Sequence, residues 1–183
     1  MTPYKIIAQI IGIVAMTLNI LSYQRKNQRD IIITQFFGSG LFVINFLMLG
    51  AITGGIINFL AVLRAIVFSN KEKFRADKVI WVYGFIGAFL LTYASTFLVF
   101  DKEPTPFNLV IEFLPIIGII ASTVSFYMKD GKAVRRLALI SSPSWLIYNI
   151  TQAAIGGIIC EAVSLVSIII GMLRHDRKKE ELK

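Results

Sequence analysis

Between Val79 and Phe100 the sequence reads VIWVYGFIGAFLLTYASTFLVF, without one charged residue. At about 1.5 Å of rise per residue such a run spans the roughly 30 Å of a hydrocarbon core. In lipid its backbone polar groups are satisfied only if it coils as a helix. This run divides the chain into two blocks of the same plan, each with three apolar segments, a basic loop between the first two and a short glycine-containing uncharged turn between the second and third. Three crossings turn a chain over and a fourth restores its direction. The two blocks are therefore expected to enter the membrane from the same side and to form parallel repeats, a plan known among transporters.

Spans are expected at Tyr4–Tyr23, Ile31–Gly50, Ile52–Ser69, Val79–Phe100, Phe107–Tyr127, Leu137–Ala154 and Ile155–Leu173. The expected fold class is an all-α membrane protein of seven transmembrane helices arranged 3+1+3. Residues 1–69 form the first three-helix repeat, 79–100 a linker helix, 107–173 the second repeat and 174–183 a charged cytoplasmic tail. Lysine and arginine outside these spans gather in the gaps after spans 1, 3 and 5 and in the tail; the exceptions are Lys5 and Lys102 on the opposite side and Arg64 inside span 3. Because basic loops are retained in the cytoplasm, the amino terminus is expected outside and the carboxyl terminus inside.

With 183 residues and 56% hydrophobic composition, the chain has no room for a water-soluble domain beside the spans. The formal charge of +8 does not indicate nucleic acid, because the basic residues occupy the gaps between apolar runs and are not interleaved with aromatics on a helix face. A single cysteine, Cys160, excludes an internal disulfide, and a single histidine, His175, has no second ligand nearby, so neither a metal nor a cofactor is expected. Lys5 precedes an apolar run as in a secretory signal, but no small-residue cleavage pattern follows, so the run is read as a retained first span.

The repeat is faint in residues. Laying Gly12–Lys26 over Pro115–Lys129 matches Ile13 with Ile116, Ser22 with Ser125 and Lys26 with Lys129, and sets Tyr23 opposite Phe126 and Asn19 opposite Ser122. Further on, Gly38-Ser39-Gly40 falls opposite Ser142-Pro143-Ser144, Asn45 opposite Asn149, and Gly54-Gly55 opposite Gly156-Gly157. The stretch Glu112-Phe-Leu-Pro115-Ile-Ile-Gly118 with Ser122, then Trp145, Asn149, Gly156-Gly157 and Glu161, resembles the second half of the YgjV-type bacterial inner-membrane proteins. Leu49-Gly50, Asn58 and Arg64 resemble their first half, so the likeness covers nearly the whole chain. It implies an inner-membrane location and carries no biochemical activity.

A more distant resemblance is to the SWEET, semiSWEET and PQ-loop transporters, which imply the 3+1+3 plan with the amino terminus outside. Those proteins place a proline hinge in the first helix of each bundle and an asparagine in the third. Pro115 matches the hinge in the second bundle, Gly12 stands there in the first, and no Pro-Gln dipeptide occurs. Asn58 matches the asparagine, and its counterpart is Cys160 or Glu161 according to a one-residue choice of register.

Two carboxylates, Glu112 and Glu161, fall inside spans, where an unpaired charge costs several kcal/mol unless it faces a wet cavity or a partner. Each lies about five residues from the outer end of its helix, either bonded to a neighbouring helix or lining an outward vestibule. Glu161 is expected to take a proton or bind a cationic group of a solute, with Glu112 shaping the field at the entrance. Arg64 either reaches the cytoplasmic headgroups through its long side chain or serves as an internal counter-charge. Asn19, Asn45, Asn58, Ser122, Trp145 and Asn149 are candidate solute ligands beside Glu161, although amides also join helices and tryptophan also forms interfacial belts. Gly12, Pro115 and Pro143 are candidate hinges, the prolines because each removes a backbone donor.

Enzyme signatures are missing: there is no HExxH, no intramembrane aspartate pair and no phosphate-binding glycine loop. The expected function is a non-enzymatic carrier for a small polar or cationic solute, moving by alternating access between the two bundles. The alternative is a membrane receptor or assembly protein without transport. The partners expected are membrane lipids and the solute, with homo-oligomerisation left open.

Overall fold

Long apolar runs that find no partner strand satisfy their backbone only by coiling, and the computed structural model, which describes residues 3–48, 52–99, 101–151 and 155–176, holds helices and no strand among them. The helices are α1 (Pro3–Ser22), α2 (Gln28–Met48), α3 (Ile52–Ser69), α4 (Lys71–Phe74), α5 (Ile80–Leu98), α6 (Pro106–Tyr127), α7 (Gly131–Thr151) and α8 (Ile155–His175). The expected span ends at Gly50, Phe100 and Ala154, and the tail beyond Asp176, lie outside the described residues. Of the described helices, α2, α5, α6 and the Ile158–His175 part of α8 are long and apolar enough to cross a membrane. Shorter apolar stretches run over Ile6–Ser22 in α1 and Gly55–Ser69 in α3.

Local signals set the ends. Thr105 caps α6 by accepting a hydrogen bond from the Asn108 amide at 3.2 Å, and Pro106 occupies the first turn, where its missing N–H costs nothing. Arg75, in left-handed backbone at φ 51°, stops α4 after a single turn. The start of α7 corrects the expected Leu137. The helix begins at Gly131, so Arg135 and Arg136, which the expected bounds leave in the basic gap after span 5, belong to it. Arg135 turns inward and is 2% exposed, held by Asp176 beyond the end of α8. Of the residues just after Leu173, Arg174 is exposed, His175 is half-buried and Asp176 is folded in at 7% exposure.

Helix α2 packs against α1 and α3, α7 packs against α6 and α8, and α5 lies on α3 and α6. The two groups meet where α1 touches α8, α2 touches α7 and α3 touches α6. A core of Ile31, Phe68, Phe85, Phe89, Phe126 and Val134 fills the junction, with Phe68 edge-on to Phe126 at 6.4 Å. Large apolar side chains elsewhere point outward, Leu91 at 73% and Leu98 at 81% exposure. Such an apolar exterior is matched to lipid and not to water.

Polar bonds between the groups cluster at the end carrying the basic loops. Gln24 Nε2 donates to the Ser167 carbonyl at 2.7 Å and to its hydroxyl at 2.9 Å, and His175 Nε2 lies 2.8 Å from the Gln24 carbonyl. Gln28 Nε2 donates to the Ser125 carbonyl at 2.7 Å and to that of Met128. The Lys71 ammonium donates to Gln28 Oε1 at 3.1 Å and to the carbonyls of Tyr127 and Met128 at 3.0 Å each. Helices α1, α3, α6 and α8 therefore bring their carboxyl ends, and α2 and α7 their amino ends, to this one side.

Two glycines on the helices give opposite expectations. A Cβ at Gly171 would overlap the Tyr23 carbonyl and press on Arg135 Cδ at 3.1 Å, whereas one at Gly40 would meet nothing within 4 Å. Gly171→Ala is expected to destabilise the fold by about 1–3 kcal/mol, because a backbone atom cannot step aside. Gly40→Ala should be neutral or stabilise by up to about 1 kcal/mol through helix propensity. Thermal unfolding of both variants in detergent checks the contrast.

Candidate functional site

A guanidinium inside a membrane protein needs acceptors, and α6 supplies them to Arg64. This residue does not extend to the headgroups. It is 6% exposed, and its Nη1 donates to the Ile119 carbonyl at 3.1 Å, the Ser122 hydroxyl at 2.7 Å and the Thr123 hydroxyl at 2.8 Å. Its Cζ stands over the rings of Phe126 at 4.5 Å and Phe89 at 5.8 Å. Its Nε–H is buried without an acceptor, and no carboxylate pairs with it among the described residues. A cation so placed is neutralised by dipoles and ring faces alone among the described residues.

On the other side of the junction, Glu161 of α8 is half-buried and faces the Ser142 hydroxyl of α7. Its neighbour Cys160 is half-buried beside it. Tyr23, at the end of α1, lies within electrostatic reach of Arg64, Cys160 and Glu161 at once. The phenol just after α1 is thus coupled electrostatically to a cation of α3 and to a carboxylate of α8.

The remaining expected ligands are spread more widely. Ser122 takes part directly, as the acceptor for Arg64. Asn19 donates to the Ala15 carbonyl in its own helix at 3.4 Å and lies against Gly38. Asn45 is sealed between α1 and α2, 6% exposed, donating to the Ala8 carbonyl at 2.6 Å beside Gly12. Asn58 and Asn149 are half-buried on α3 and α7. Trp145 packs over Gly118 between α6 and α7, its ring 6.0 Å from that of Tyr148. Glu112 does not join Glu161: it is ion-paired with Lys102 and approached by the Tyr148 hydroxyl at 3.5 Å. The hinge candidates sit in continuous helices, Gly12 in α1, Pro115 in α6 and Pro143 in α7.

Two inter-group contacts have the same form. Arg64 of α3 donates to Thr123 of α6, and Ser167 of α8 donates to the Ile20 carbonyl of α1 at 2.8 Å. Arg64 and Ser167 stand 103 positions apart, as do Ile20 and Thr123. The Phe68–Phe126 ring contact and the close approach of Gly171 to Tyr23 are related by the same shift. Sequence reasoning missed Tyr23 and Thr123 as members of the cluster. The available signal was Tyr23 standing opposite Phe126 in the repeat while Arg64 sat unaccompanied in an apolar span.

Outside the spans, burial and then the charge of Lys129 hold the Lys71 ammonium down to about 8 from the ordinary 10.5. Above pH 8 the folded protein releases this proton while the unfolded chain keeps it until about 10.5. The unfolded state then binds more protons, so Lys71 makes stability rise with pH across that window. Lys71→Met is expected to flatten the rise, measured as the melting temperature against pH.

A model of the family described as Imp-YgjV, bacterial inner membrane protein, matches residues 6–179. "Inner membrane protein YgjV" of Escherichia coli (strain K12) is 23% identical over 180 residues, covering 98% of this chain and 90% of that one. No solved structure matches.

Proposed function

We propose that this chain, which belongs to the Imp-YgjV family of bacterial inner membrane proteins, is a carrier for a small polar solute held between Arg64 and Glu161. The observation that carries the proposal is the buried Arg64, without a carboxylate partner among the described residues and set with Glu161 and Tyr23 where the two helix groups meet. An intramembrane charge is expensive and is placed on a solute pathway more often than in passive packing. Arg64 would take the anionic part of the solute and Glu161 its cationic part or a coupled proton.

The architecture proposed for this carrier is seven crossings arranged 3+1+3, with α1–α3 and α6–α8 as parallel repeats and α5 as the link. Support comes from the contacts repeated at a shift of 103 and from the meeting of the carboxyl ends of α1 with α8 and of α3 with α6. A shift of 103 would set Asn58 opposite Glu161, one of the two choices of register. The basic loops gathered at that end support a cytoplasmic carboxyl terminus and an outer amino terminus.

Asn45, sealed into the α1–α2 contact, favours a second reading, a receptor or assembly protein that binds without moving its ligand. Purified protein titrated with a panel of zwitterionic, anionic and cationic metabolites, read by thermal stability, finds the ligand class. Uptake of the stabilising compound into proteoliposomes then separates the readings. The carrier reading expects uptake, lost in Glu161→Gln; binding without uptake leaves the receptor, and unchanged uptake in Glu161→Gln removes Glu161 from the site.

A further inference from the structure

Helix α2 has two grooves on its outward side, one to either side of Phe37, a ring that is 57% exposed. The larger, about 610 Å³, is walled by Leu18 of α1 and by Ile33, Phe37, Leu41 and Ile44 of α2, with Arg25 at the end nearest the α1–α2 loop. The smaller, about 220 Å³, runs between Phe36 and Phe37 of α2 and Ile66 of α3, with Arg29, Ser69 and Asn70 at its polar end. Each groove thus has an apolar trough and an arginine at the same end. Neither guanidinium has a carboxylate partner among the described residues, and Asp30 beside them is engaged by Asn27 Nδ2 at 3.2 Å.

We infer that this face of α2 binds one anionic phospholipid, its phosphate on Arg25 and Arg29 and one acyl chain in each groove astride Phe37. Length supports an acyl chain as the occupant. From Ile33 to Ile44 the larger groove follows α2 for about 16 Å at 1.5 Å per residue, roughly half of a 30 Å hydrocarbon core and so the depth of one leaflet. Charge supports an anionic headgroup, because Arg25 and Lys26 of the α1–α2 loop and Arg29 in the first turn of α2 sit where that leaflet meets water. The floor of the larger groove is open because position 40 is glycine, with nothing within 4 Å of where a Cβ would stand.

The test titrates the detergent-purified protein with phosphatidylglycerol or with phosphatidylcholine of the same chains, counting retained lipid by native mass spectrometry. Glycerol 3-phosphate is the chainless control. The wild type is expected to retain one phosphatidylglycerol with a preference of about thirtyfold over phosphatidylcholine, from two arginine contacts. Arg25→Gln with Arg29→Gln should erase the preference while leaving phosphatidylcholine retention unchanged. Gly40→Phe, which fills the groove from a position free of packing, should reduce retention of both lipids at least tenfold. An undiminished preference in the double variant, wild-type retention in Gly40→Phe, or displacement of the lipid by an equal concentration of glycerol 3-phosphate would each overturn the assignment.

Discussion

Replacing Arg135 by methionine is expected to destabilise the protein by about 3–5 kcal/mol, the range for breaking one side of a buried ion pair. Arg135 is 2% exposed, and its guanidinium grips Asp176 with two nitrogens, Nε at 3.2 Å from Oδ2 and Nη2 on Oδ1, while Nη1 donates to the Arg25 carbonyl at 3.0 Å. One side chain thus ties α7 to the residue after α8 and to the loop after α1. Methionine fills the volume but strands the Asp176 carboxylate, 7% exposed, with no cation beside it. Most of the loss is the cost of that orphaned charge, so Arg135→Met combined with Asp176→Leu should recover most of the stability. Unfolding of the two single variants and the double variant gives the coupling energy; a double variant as unstable as the sum of the singles would show that packing, and not the charge left behind, is responsible.

Arg64→Met is expected to do the reverse, keeping stability within about 1 kcal/mol of the wild type while abolishing the solute uptake proposed above. Burying Arg64 without a carboxylate costs several kcal/mol. This is offset by charge-assisted bonds of about 1.5–3 kcal/mol each and by the Phe126 ring, worth about 2 kcal/mol when desolvated. Removing the cation strands nothing. Ser122 and Thr123 still donate to the Ile119 carbonyl, at 3.0 and 2.7 Å, so no polar group loses its last partner. Arg64→Lys keeps the charge but replaces a planar fork with a point, and is expected to retain only part of the uptake. Thermal unfolding and proteoliposome uptake on the same preparation decide the matter; a loss of stability equal to that of Arg135→Met would make Arg64 a structural brace.

How far these two arginines were legible differs for a physical reason. Helix α3 was bounded at Ile52–Ser69 from the sequence alone, because hydrophobicity starts and stops sharply there. The beginning of α7 was missed by six residues because Lys132, Arg135 and Arg136 look like a solvated loop. Only the distant Asp176, brought in by the course of α8, makes Arg135 an interior residue, and hydropathy read along the chain cannot see a partner so far away. Arg64 stood out as a charge in an apolar run, but whether it turned to lipid or to protein depended on the hydroxyls of α6. Glu112 and Glu161 looked alike in depth; Lys102 pairs with the first, and Ser142 meets the second. Asn45 matched Asn149 in pattern, yet the closeness of α1 at Gly12 encloses it. Patterning therefore located the polar side chains along the membrane depth, and helix packing decided which of them face one another.

The matched contacts of Arg64 with Thr123 and of Ser167 with Ile20 bear on ancestry and on assembly from fragments. A homodimer of the first half would set two arginines against the backbone at position 20, with no hydroxyl at either site. A homodimer of the second half would bring together two serines and two threonines, with no cation. Each half supplies what the other lacks, so if the proposed repeat arose by duplication, divergence at these positions would have made the presence of both halves obligatory. Neither half expressed alone should replace the whole chain, whereas the two co-expressed as separate polypeptides retain every contact named here and should reassemble.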